Sequence, residues 1–408
     1  MFFEELSDSF EDPQSNELQI KELIHQALLD SIPGQFTKHP DYPVYCNRTE
    51  YLIHSQNEGL PLFPQTFPEV LLNWAGMDSN TVWTKEDLLV IDLETTGLGR
   101  GGILAFMIGL GYYEDDKYVV EQLFLPEPDA EINSFDRLME LLEQKSVLVT
   151  FNGKTFDIPV LESRFMHNQL WINFRKKEHI DVLHIARRLW RKKAPSCALE
   201  TLEYYILGQI REKELDIEGS LIPQTYFQFL INGDPEMIRR IFIHNQHDVL
   251  NTASLLAFIC EHIEHPVHSG LDYRIDYHAV AKLYQSQGHH HITKHILEEL
   301  IQQDILSPDI VYDLGMIYKK ESDFDRAESC FRQGAELNDV RAIHELVLIL
   351  ENKRKNYPEA IDVCMQLYQY LSWSYPQNPK KLEDAQKRLS RLQLKLDKAA
   401  ILTTKTPR

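Results

Sequence analysis

The sequence predicts a mixed α/β domain whose sheet is flanked by helices, followed by an all-α domain of helical repeats. The first observation is a short apolar run over residues 88–92, of the buried-strand type, after which strand candidates alternate with helical spacing. The second is a change to helical patterning throughout after His265 and Pro266. The third is a self-similarity of about 34 residues within this helical part.

The α/β domain begins with three strand candidates in sequence. Residues 105–113 and 118–125 follow the first strand, and the polar turn between them predicts an antiparallel pair. The remaining elements are, in order, a helix over 130–144, a strand over 146–151, a helix over 156–169 and a short strand over 180–183. A meander followed by alternating strands and helices indicates a mixed sheet.

Composition divides the chain into four segments. Residues 1–84 are acidic at their start and rich in proline, and apart from a helix candidate at 17–29 we expect them to be partly irregular. The α/β domain covers 85–265, the helical domain 270–395 and a tail 396–408. The sequence assigns no function to the first segment.

The helical domain carries small and aromatic residues at regular intervals. Tyr284 and Tyr318 are 34 positions apart, and Ala327 and Ala360 are 33 apart. Small residues let paired helices approach closely, while aromatic residues fill the space between hairpins. The pattern, clearest in Leu314-Gly315-x-x-Tyr318, resembles the tetratricopeptide repeat (TPR). This resemblance implies a concave surface that recruits a protein partner.

Charge is unevenly distributed along the chain. The net charge of −20 argues against a general nucleic-acid-binding surface, because contacts to phosphate need Lys and Arg. However, eight basic residues lie between Arg175 and Lys193, interleaved with aromatic residues. Two interpretations stay open: Arg187, Arg188 and Arg191 follow a phosphate backbone, or the stretch is a solvated helix face beside a basic loop.

Several sequence features bear on localisation. No run of about 18 apolar residues is present, so we expect no transmembrane helix and no membrane partner. The N-terminus lacks the basic start and apolar run of a signal peptide. Five widely separated cysteines without a C-x-x-C pair are typical of reduced structural thiols. We therefore expect a cytoplasmic protein.

Carboxylates follow the predicted strands in a pattern typical of a metal site. Asp92 and Glu94 are two residues apart near the end of a buried strand, so they project to the same face of the sheet. Asp157 follows the strand 146–151, and Asp248 lies in a predicted helix. Buried carboxylates repel one another unless cations neutralise them. Four oxygen ligands suit two Mg²⁺ or Mn²⁺ ions, which would clamp the oxygens of a phosphoryl displacement.

These residues resemble the motifs of the DEDD exonucleases of the RNase H-like superfamily, and most closely those of the YprB-type subgroup. The matching motifs, over about 86–262, are Asp92-x-Glu94, Phe151-Asn152-Gly153-x-x-Phe156-Asp157, His179-Ile180-Asp181, Asp216-Ile217-x-Gly219-Ser220 and Asp248. The resemblance implies a 3′-to-5′ exonuclease fold, catalysis by two metal ions and a single-stranded DNA or RNA end as substrate. Spacing and composition alone predict only a metal-dependent carboxylate site.

The residue that positions the attacking water departs from the best-known pattern of this family. His244 precedes Asp248 by one helical turn, so both side chains share a helix face. It stands where one subgroup has a tyrosine, and Ile243 stands where another has its histidine. A histidine with a near-neutral pKa is a suitable general base, and the alternative is a helix-capping or core histidine.

Other polar residues near the carboxylates are expected to contact substrate: Thr95, Thr96, Gly97, Asn152 and Lys154. Asn152 would contact a phosphate or hold a turn, and both interpretations stay open. Gly97-x-Gly99-x-x-Gly102 matches a dinucleotide-binding fingerprint, but a strand rather than the required helix follows it. We therefore expect a loop beside the metal site. For Asp181 we favour a structural role, and for His289–His291 a solvated turn of the repeats.

Three functions compete at this stage. The preferred one is a metal-dependent exonuclease in which Asp92, Glu94, Asp157 and Asp248 hold two ions. The second is a catalytically weak or inactive nucleic-acid-binding scaffold that recruits a protein partner through its repeats. The third is an endonuclease, since this core supports several phosphodiester chemistries.

Overall fold

The computed structural model describes residues 13–52, 67–97, 102–264, 266, 270–374 and 379–404. The chain forms two compact units. The first comprises Met1–His265 together with Asp272–Asp276, and the second comprises Pro266–Leu271 and Tyr277–Arg408.

The first unit is built on a mixed sheet of seven strands. The strands are β1 (Gln35–Phe36), β2 (Tyr45–Leu52), β3 (Leu88–Thr95), β4 (Ala105–Glu114), β5 (Lys117–Phe124), β6 (Val147–Thr150) and β7 (Glu178–Asp181). Their order across the sheet is β1-β2-β5-β4-β3-β6-β7. The meander β3-β4-β5 is antiparallel, whereas β6 pairs in parallel with both β3 and β7. The predicted mixed sheet is confirmed.

The N-terminal region contributes more to the sheet than its sequence indicates. Within the region that we expected to be partly irregular, β1 and β2 extend the sheet beyond β5, and α1 (Pro13–Ser31) precedes them. The polar sequence of β2 gives no continuous apolar run, because only alternate side chains of this strand face the core. Tyr45 is fully buried at the start of β2.

Helices cover the sheet of the first unit. They are α2 (Glu69–Ala75), α3 (Glu131–Gln144), α4 (Asp157–His167), α5 (Val182–Trp190), α6 (Leu199–Leu202), α7 (Ile222–Asn232) and α8 (Glu236–Glu264). Aromatic pairs join several of them. Phe135 of α3 stacks on Phe165 of α4 with ring centroids 4.2 Å apart, and Tyr226 of α7 stacks on Phe106 of β4 at 4.0 Å.

Two glycines of β4 let α8 lie directly against the sheet. A methyl group at Gly109 would collide with the side-chain amide of Asn245, and one at Gly111 would collide with Val249 and Tyr118. The close approach is therefore possible only where β4 lacks side chains. As a result, the middle of α8 is held at a fixed position above β3 and β4.

The second unit is all-helical. Its helices are α9 (Tyr277–Ser286), α10 (His290–Gln302), α11 (Pro308–Lys320), α12 (Phe324–Glu336), α13 (Val340–Ile349), α14 (Tyr357–Ser374) and α15 (Pro379–Thr404). Successive helices pack against each other, and Gly315 of α11 lies against Phe331 of α12 without room for a methyl group. This architecture confirms the predicted helical repeat domain. Within the described part of the chain, no helix is long and apolar enough to cross a membrane.

Candidate functional site

The central strand β3 carries two of the predicted carboxylates near its C-terminal end. Asp92 accepts a hydrogen bond at Oδ2 from Asn245 Nδ2 at 2.9 Å. Glu94 is buried, and the pairing register of β3 shifts immediately after it. Asp157, also buried, begins α4 and accepts a hydrogen bond at Oδ1 from Leu93 N at 3.1 Å. The backbone of β3 thereby fixes Asp157 next to Asp92 and Glu94.

The long helix α8 supplies the fourth carboxylate. Asp248 lies one turn after His244, and its Oδ2 is 3.6 Å from His244 Nε2. Asn245, between them, is completely buried and accepts a hydrogen bond at Oδ1 from Gln122 Nε2 at 2.9 Å. Because Asn245 also donates to Asp92, this single amide ties α8 to β3 and β5.

Burial and neighbouring negative charges raise the pKa values of three of these carboxylates, Asp92, Glu94 and Asp157. Burial raises the pKa of Asp92 and of Glu94 well above the usual range, and the charge of Asp248 raises both further. Burial likewise raises the pKa of Asp157 to about 7, although hydrogen bonds from backbone amides oppose the shift. Such mutual repulsion indicates that the four groups converge, and that protons or cations must neutralise them.

An arginine that the sequence motifs do not include lies against this cluster. Arg211 donates hydrogen bonds to both carboxylate oxygens of Glu203 and to Asp248 Oδ1, and its NH1 group lies 3.4 Å from Asp216 Oδ2. His244 Nδ1 lies 2.9 Å from Asp216 Oδ1. Burial opposes charge on Asp216 and on His244, yet their hydrogen bond lowers the pKa of Asp216 to about 2 and raises that of His244.

Hydrogen-bond donors already occupy several of the carboxylate oxygens. Arg211 binds one oxygen of Asp248, Asn245 one of Asp92, and the Leu93 amide one of Asp157. As the side chains of the described residues are placed, no three Asp, Glu, His or Cys groups are arranged to hold a metal ion. The donor set itself, four converging carboxylates, has the oxygen chemistry that Mg²⁺ and Mn²⁺ require.

A cleft of about 490 Å³ opens on two of the carboxylates. Asp92, Asp248, Asn152 and Arg187 line it, together with Cys197. Asn152 is exposed and has a left-handed backbone conformation (φ 70°). Its backbone N–H donates a hydrogen bond to Asp181 Oδ1 at 2.9 Å. Asn152 therefore lines the cleft from a turn that its own backbone helps to form, and its Oδ1 accepts a hydrogen bond from Thr155 Oγ1 at 2.8 Å.

Asp181 serves the turn rather than the cleft. It is buried at the end of β7, and its carboxylate accepts hydrogen bonds from the amides of Asn152, Lys154 and Leu183. A carboxylate with three backbone partners fixes local geometry. The structural role that the sequence analysis favours for Asp181 agrees with these contacts.

The three predicted arginines lie in different surroundings. Arg187 lines the cleft together with Cys197. Burial raises the pKa of the Cys197 thiol, and the positive charges of Arg187 and Arg191 partly oppose this rise. Arg188 instead lies over the ring of Trp74 at 4.8 Å. Together with Lys154 it lines a separate small cavity of about 70 Å³. Lys154 and Arg188 are thus apart from the carboxylate cleft.

The loop after β3 uses its hydroxyl groups internally. Thr95 is buried and donates from Oγ1 to Gly97 O at 3.0 Å, while Thr96 Oγ1 accepts from Leu104 N at 3.0 Å. These bonds anchor the two ends of the predicted glycine loop. Residues 98–101 of that loop, including Gly99, lie outside the described residues.

A second cavity of about 670 Å³ borders the cluster on the side of His244 and Arg211. Tyr204 and Tyr205 line it, with 55% and 50% of their surfaces exposed. Their rings are nearly perpendicular, at 82°, with centroids 5.1 Å apart. Both residues belong to an irregular helical turn, Glu203–Leu207, that ends at Gly208 in a left-handed conformation. Two exposed aromatic side chains beside a polar cluster form a surface suited to a flat ligand.

Six residues at this site are absent from the predicted site residues: Glu203, Tyr204, Tyr205, Arg211, Asp216 and Asn245. Two of them could have been found from the sequence. Asp216 begins one of the matched motifs, and Asn245 directly follows His244. Arg211 and Glu203 meet through the irregular turn between them, which no regular helix or strand spacing predicts.

Comparison with known proteins identifies the family. A family model described as RNase H superfamily matches residues 89–260, which include all the carboxylates of the cluster. The chain is 32% identical over 368 residues to the uncharacterized protein YprB of Bacillus subtilis (strain 168), and the match covers 86% of each chain. The chain therefore belongs to the YprB family and contains a domain of the RNase H superfamily.

Proposed function

We propose that this protein is a metal-dependent nuclease, acting as a 3′-to-5′ exonuclease of the DEDD type on single-stranded DNA or RNA. Asp92, Glu94, Asp157 and Asp248 would hold two Mg²⁺ or Mn²⁺ ions. The observation that carries the proposal is the convergence of these four carboxylates, because burial and repulsion raise the pKa values of Asp92, Glu94 and Asp157 and so favour protons or cations at the cluster. Membership of the RNase H superfamily supports nuclease chemistry.

The balance of charge supports the fit of divalent cations. Among the described residues, the four carboxylates together with Glu203 and Asp216 outnumber the basic groups that act on them, which include the guanidinium of Arg211 and the imidazoles of His244 and His247. Such an excess of buried negative charge is costly unless cations offset it. When bound, two such ions would stabilise the charge that develops on the attacking and leaving oxygens of a phosphoryl displacement.

His244 would act as the general base in this proposal. The Asp216 carboxylate accepts a hydrogen bond from Nδ1–H of the His244 ring. The proton of the neutral imidazole therefore resides on Nδ1, and Nε2 keeps a free lone pair. This Nε2 lies on the same side as Asp248, at 3.6 Å. A water between Nε2 and the cluster would give its proton to His244, and Asp216 would stabilise the imidazolium that forms.

The two cavities beside the cluster suggest how substrate binds. Arg187 and Asn152 offer hydrogen-bond donors to a phosphate in the 490 Å³ cleft. Tyr204 and Tyr205 offer exposed rings on which an unpaired base can stack. Stacking requires an unpaired base, which favours single-stranded ends as the substrate.

The test is degradation of single-stranded DNA and RNA, labelled at either end, with Mn²⁺, Mg²⁺ or EDTA. We compare the wild type with Asp92→Asn and with the matched control Asp115→Asn, which lies in the exposed turn between β4 and β5. The expected result is a metal-dependent ladder from the 3′ end, lost in Asp92→Asn and kept in Asp115→Asn. Internal cutting would establish an endonuclease, and intact substrates under every metal would refute the nuclease proposal.

A second candidate function is a scaffold that holds a protein partner through its TPR-like repeats. A cavity of about 700 Å³ within the second unit favours it. Its lining combines an aromatic and apolar floor with mostly basic rims: Tyr312, Val340, Leu367, Leu371, Arg341, Arg388 and Arg391. Binding of a partner by this unit would be compatible with nuclease activity of the other.

We propose a cytoplasmic location for the protein. All five cysteines are free thiols, and three of them are buried. Disulfides form and persist in oxidising compartments, whereas free thiols are typical of the reducing cytoplasm. Thiol titration under native and denaturing conditions, after isolation without reductant, should give five reactive thiols in the unfolded chain.

A further inference from the structure

Arg211 places a fixed positive charge against the carboxylate cluster. On one side its Nε donates to Glu203 Oε2 at 2.6 Å, and NH2 donates to Oε1. The Glu203 side chain is 1% exposed and the Arg211 side chain 11%, so the ion pair is anchored inside the protein. A two-pronged pair of this kind holds the guanidinium plane in one orientation.

On its other side Arg211 engages a carboxylate of the proposed metal site. NH2 also donates to Asp248 Oδ1, while Asp248 Oδ2 faces His244 Nε2 at 3.6 Å. Both oxygens of Asp248 therefore lie against nitrogen groups. Asp92 and Glu94 differ in this respect, because no hydrogen bond or ion pair joins either of them to an arginine or lysine among the described residues. The charge of Arg211 reaches Glu94 only through space, where it opposes the rise in pKa that burial causes.

We propose that Arg211 competes with a divalent cation for Asp248, so that the cation bound through Asp248 is the weaker of two. This inference rests on the proposed function. A guanidinium keeps its charge at any pH that the protein tolerates, and the buried Glu203 prevents Arg211 from withdrawing. Repulsion between a unit charge and a divalent ion a few ångströms apart weakens binding by about tenfold, even with water-like screening.

The test variants separate the charge of Arg211 from the stability of its buried pair. Arg211→Gln alone would leave the Glu203 carboxylate buried without a partner, which is strongly destabilising. The double variant Glu203→Gln/Arg211→Gln replaces the pair by two amides that can hydrogen-bond to each other. Arg211→Lys keeps the charge. Glu203→Gln alone keeps Arg211 and removes the negative charge that offsets it.

The measurement is equilibrium binding of Mn²⁺ to the full chain, followed by the paramagnetic resonance signal of free Mn²⁺, with thermal melting as the check on folding. The double variant should bind the weaker of two Mn²⁺ ions about tenfold more tightly than the wild type. Arg211→Lys should stay within about threefold, and Glu203→Gln should bind more weakly.

Three results would overturn the competition. Equal affinity in wild type and double variant would remove it and leave the proposed nuclease site intact. Weaker binding in the double variant would make Arg211 a positioning residue that orients Asp248 for the metal. Absence of Mn²⁺ binding in both proteins would refute the metal site of the proposed function as well.

Binding of Mn²⁺ to the double variant alone would support competition by Arg211 that is strong enough to exclude the ion from the wild type.

Discussion

At the scale of single residues, the walls of the cleft depend on hydrogen bonds between side chains far apart in sequence. His179 of β7 is an example: its Nε2 lies 2.8 Å from Thr150 Oγ1, which in turn accepts from Gly153 N at 3.1 Å. Thr150 thereby holds the turn from which Asn152 enters the cleft. Burial, aided by the charge of Lys154, lowers the pKa of His179 to about 4, so the ring is neutral at pH 7.

We expect His179 to make the first unit less stable in mild acid. In the unfolded state His179 has an ordinary pKa of about 6.5 and takes up a proton below that pH. In the folded state it takes up this proton only near pH 4. The stabilisation by neutral His179 is therefore complete above pH 6.5 and is lost progressively as pH falls towards 4, by up to about 3 kcal/mol. Urea unfolding followed by tryptophan fluorescence, at pH 7.5 and 5, measures this loss.

The matched variant for this experiment is His179→Gln, which keeps a hydrogen-bonding group beside Thr150 but does not titrate in this range. Its free energy of unfolding should change less between pH 7.5 and 5 than that of the wild type. An equal change in the two proteins would show that other groups cause the acid sensitivity. Four of the five tryptophans lie in the first unit, so the fluorescence reports mainly on it.

At the scale of elements, the site is made where α8 crosses β3 and β4. One turn and a half of this helix presents His244, Asn245 and Asp248 to the sheet, and the absence of side chains at Gly109 and Gly111 sets the height of the helix above it. A displacement of α8 would therefore move the base, the amide and one carboxylate together.

Gly109→Ala should raise α8 from the sheet. The added methyl group would overlap the Asn245 amide, which is bonded to both Asp92 and Gln122, so it cannot simply turn away. We expect a loss of about 1–3 kcal/mol in the free energy of unfolding and a fall in nuclease activity beyond what folding explains. Gly219→Ala is the control for stability alone, because an added methyl group there would meet nothing nearer than His244 Nε2 at 4.0 Å, and it should leave the free energy of unfolding unchanged.

The irregular turn that carries Tyr204 and Tyr205 should govern binding of nucleic acid. Replacing both by alanine should weaken the binding of a fluorescent single-stranded oligonucleotide to the Asp92→Asn protein by about tenfold or more, because each stacked base contributes about 1–3 kcal/mol. Phenylalanine at both positions should preserve binding, since it keeps the rings. If the Asp92→Asn protein binds the oligonucleotide equally well with alanine and with tyrosine at these two positions, the substrate does not reach this cavity.

Strands with continuous apolar runs could be predicted from the sequence, whereas a strand with alternating polar and apolar residues was missed. β3 to β6 have buried apolar runs, so these strands and the mixed sheet followed from the pattern. β7 (Glu178–Asp181) is half polar, and the predicted strand 180–183 overlaps it only at Ile180 and Asp181, because α5 begins at Val182. β2 has only one buried face and escaped. The four carboxylates follow strands or share a helix face, which spacing can predict. Arg211 reaches them from an irregular segment, and only tertiary contacts place it there.

At the scale of the whole molecule, the acidity of the chain limits how it can hold a nucleic acid. A protein with a net charge of −20 repels a polyanion except where cations are concentrated. In the described part of the cleft, Arg187 is the arginine that lines the wall beside Asp92 and Asp248. Base stacking and bound metal ions would then supply more of the affinity than phosphate contacts.

This balance predicts a shallow dependence of binding on salt. For a single-stranded oligonucleotide and the Asp92→Asn protein in Mg²⁺, the slope of log affinity against log salt concentration should be about −1 to −2, as expected for one to three phosphate contacts. Arg187→Gln should make it shallower. A slope of about −5 or steeper would indicate that a broad basic surface, such as the stretch from Arg175 to Lys193, carries the substrate.

The pairing of β2 with β5 bears on how the chain folds as it is made. Tyr45 lies opposite Phe124, 79 residues further along the chain, so the first long strand leaves the ribosome well before its partner exists. Until β5 arrives, the edge of β2 that pairs with it has exposed backbone groups. We expect the acidic residues and prolines in the segments around β2 to hinder its pairing with another nascent chain. A shortened protein that began at residue 85 would transfer this exposure to β5 and should aggregate during synthesis.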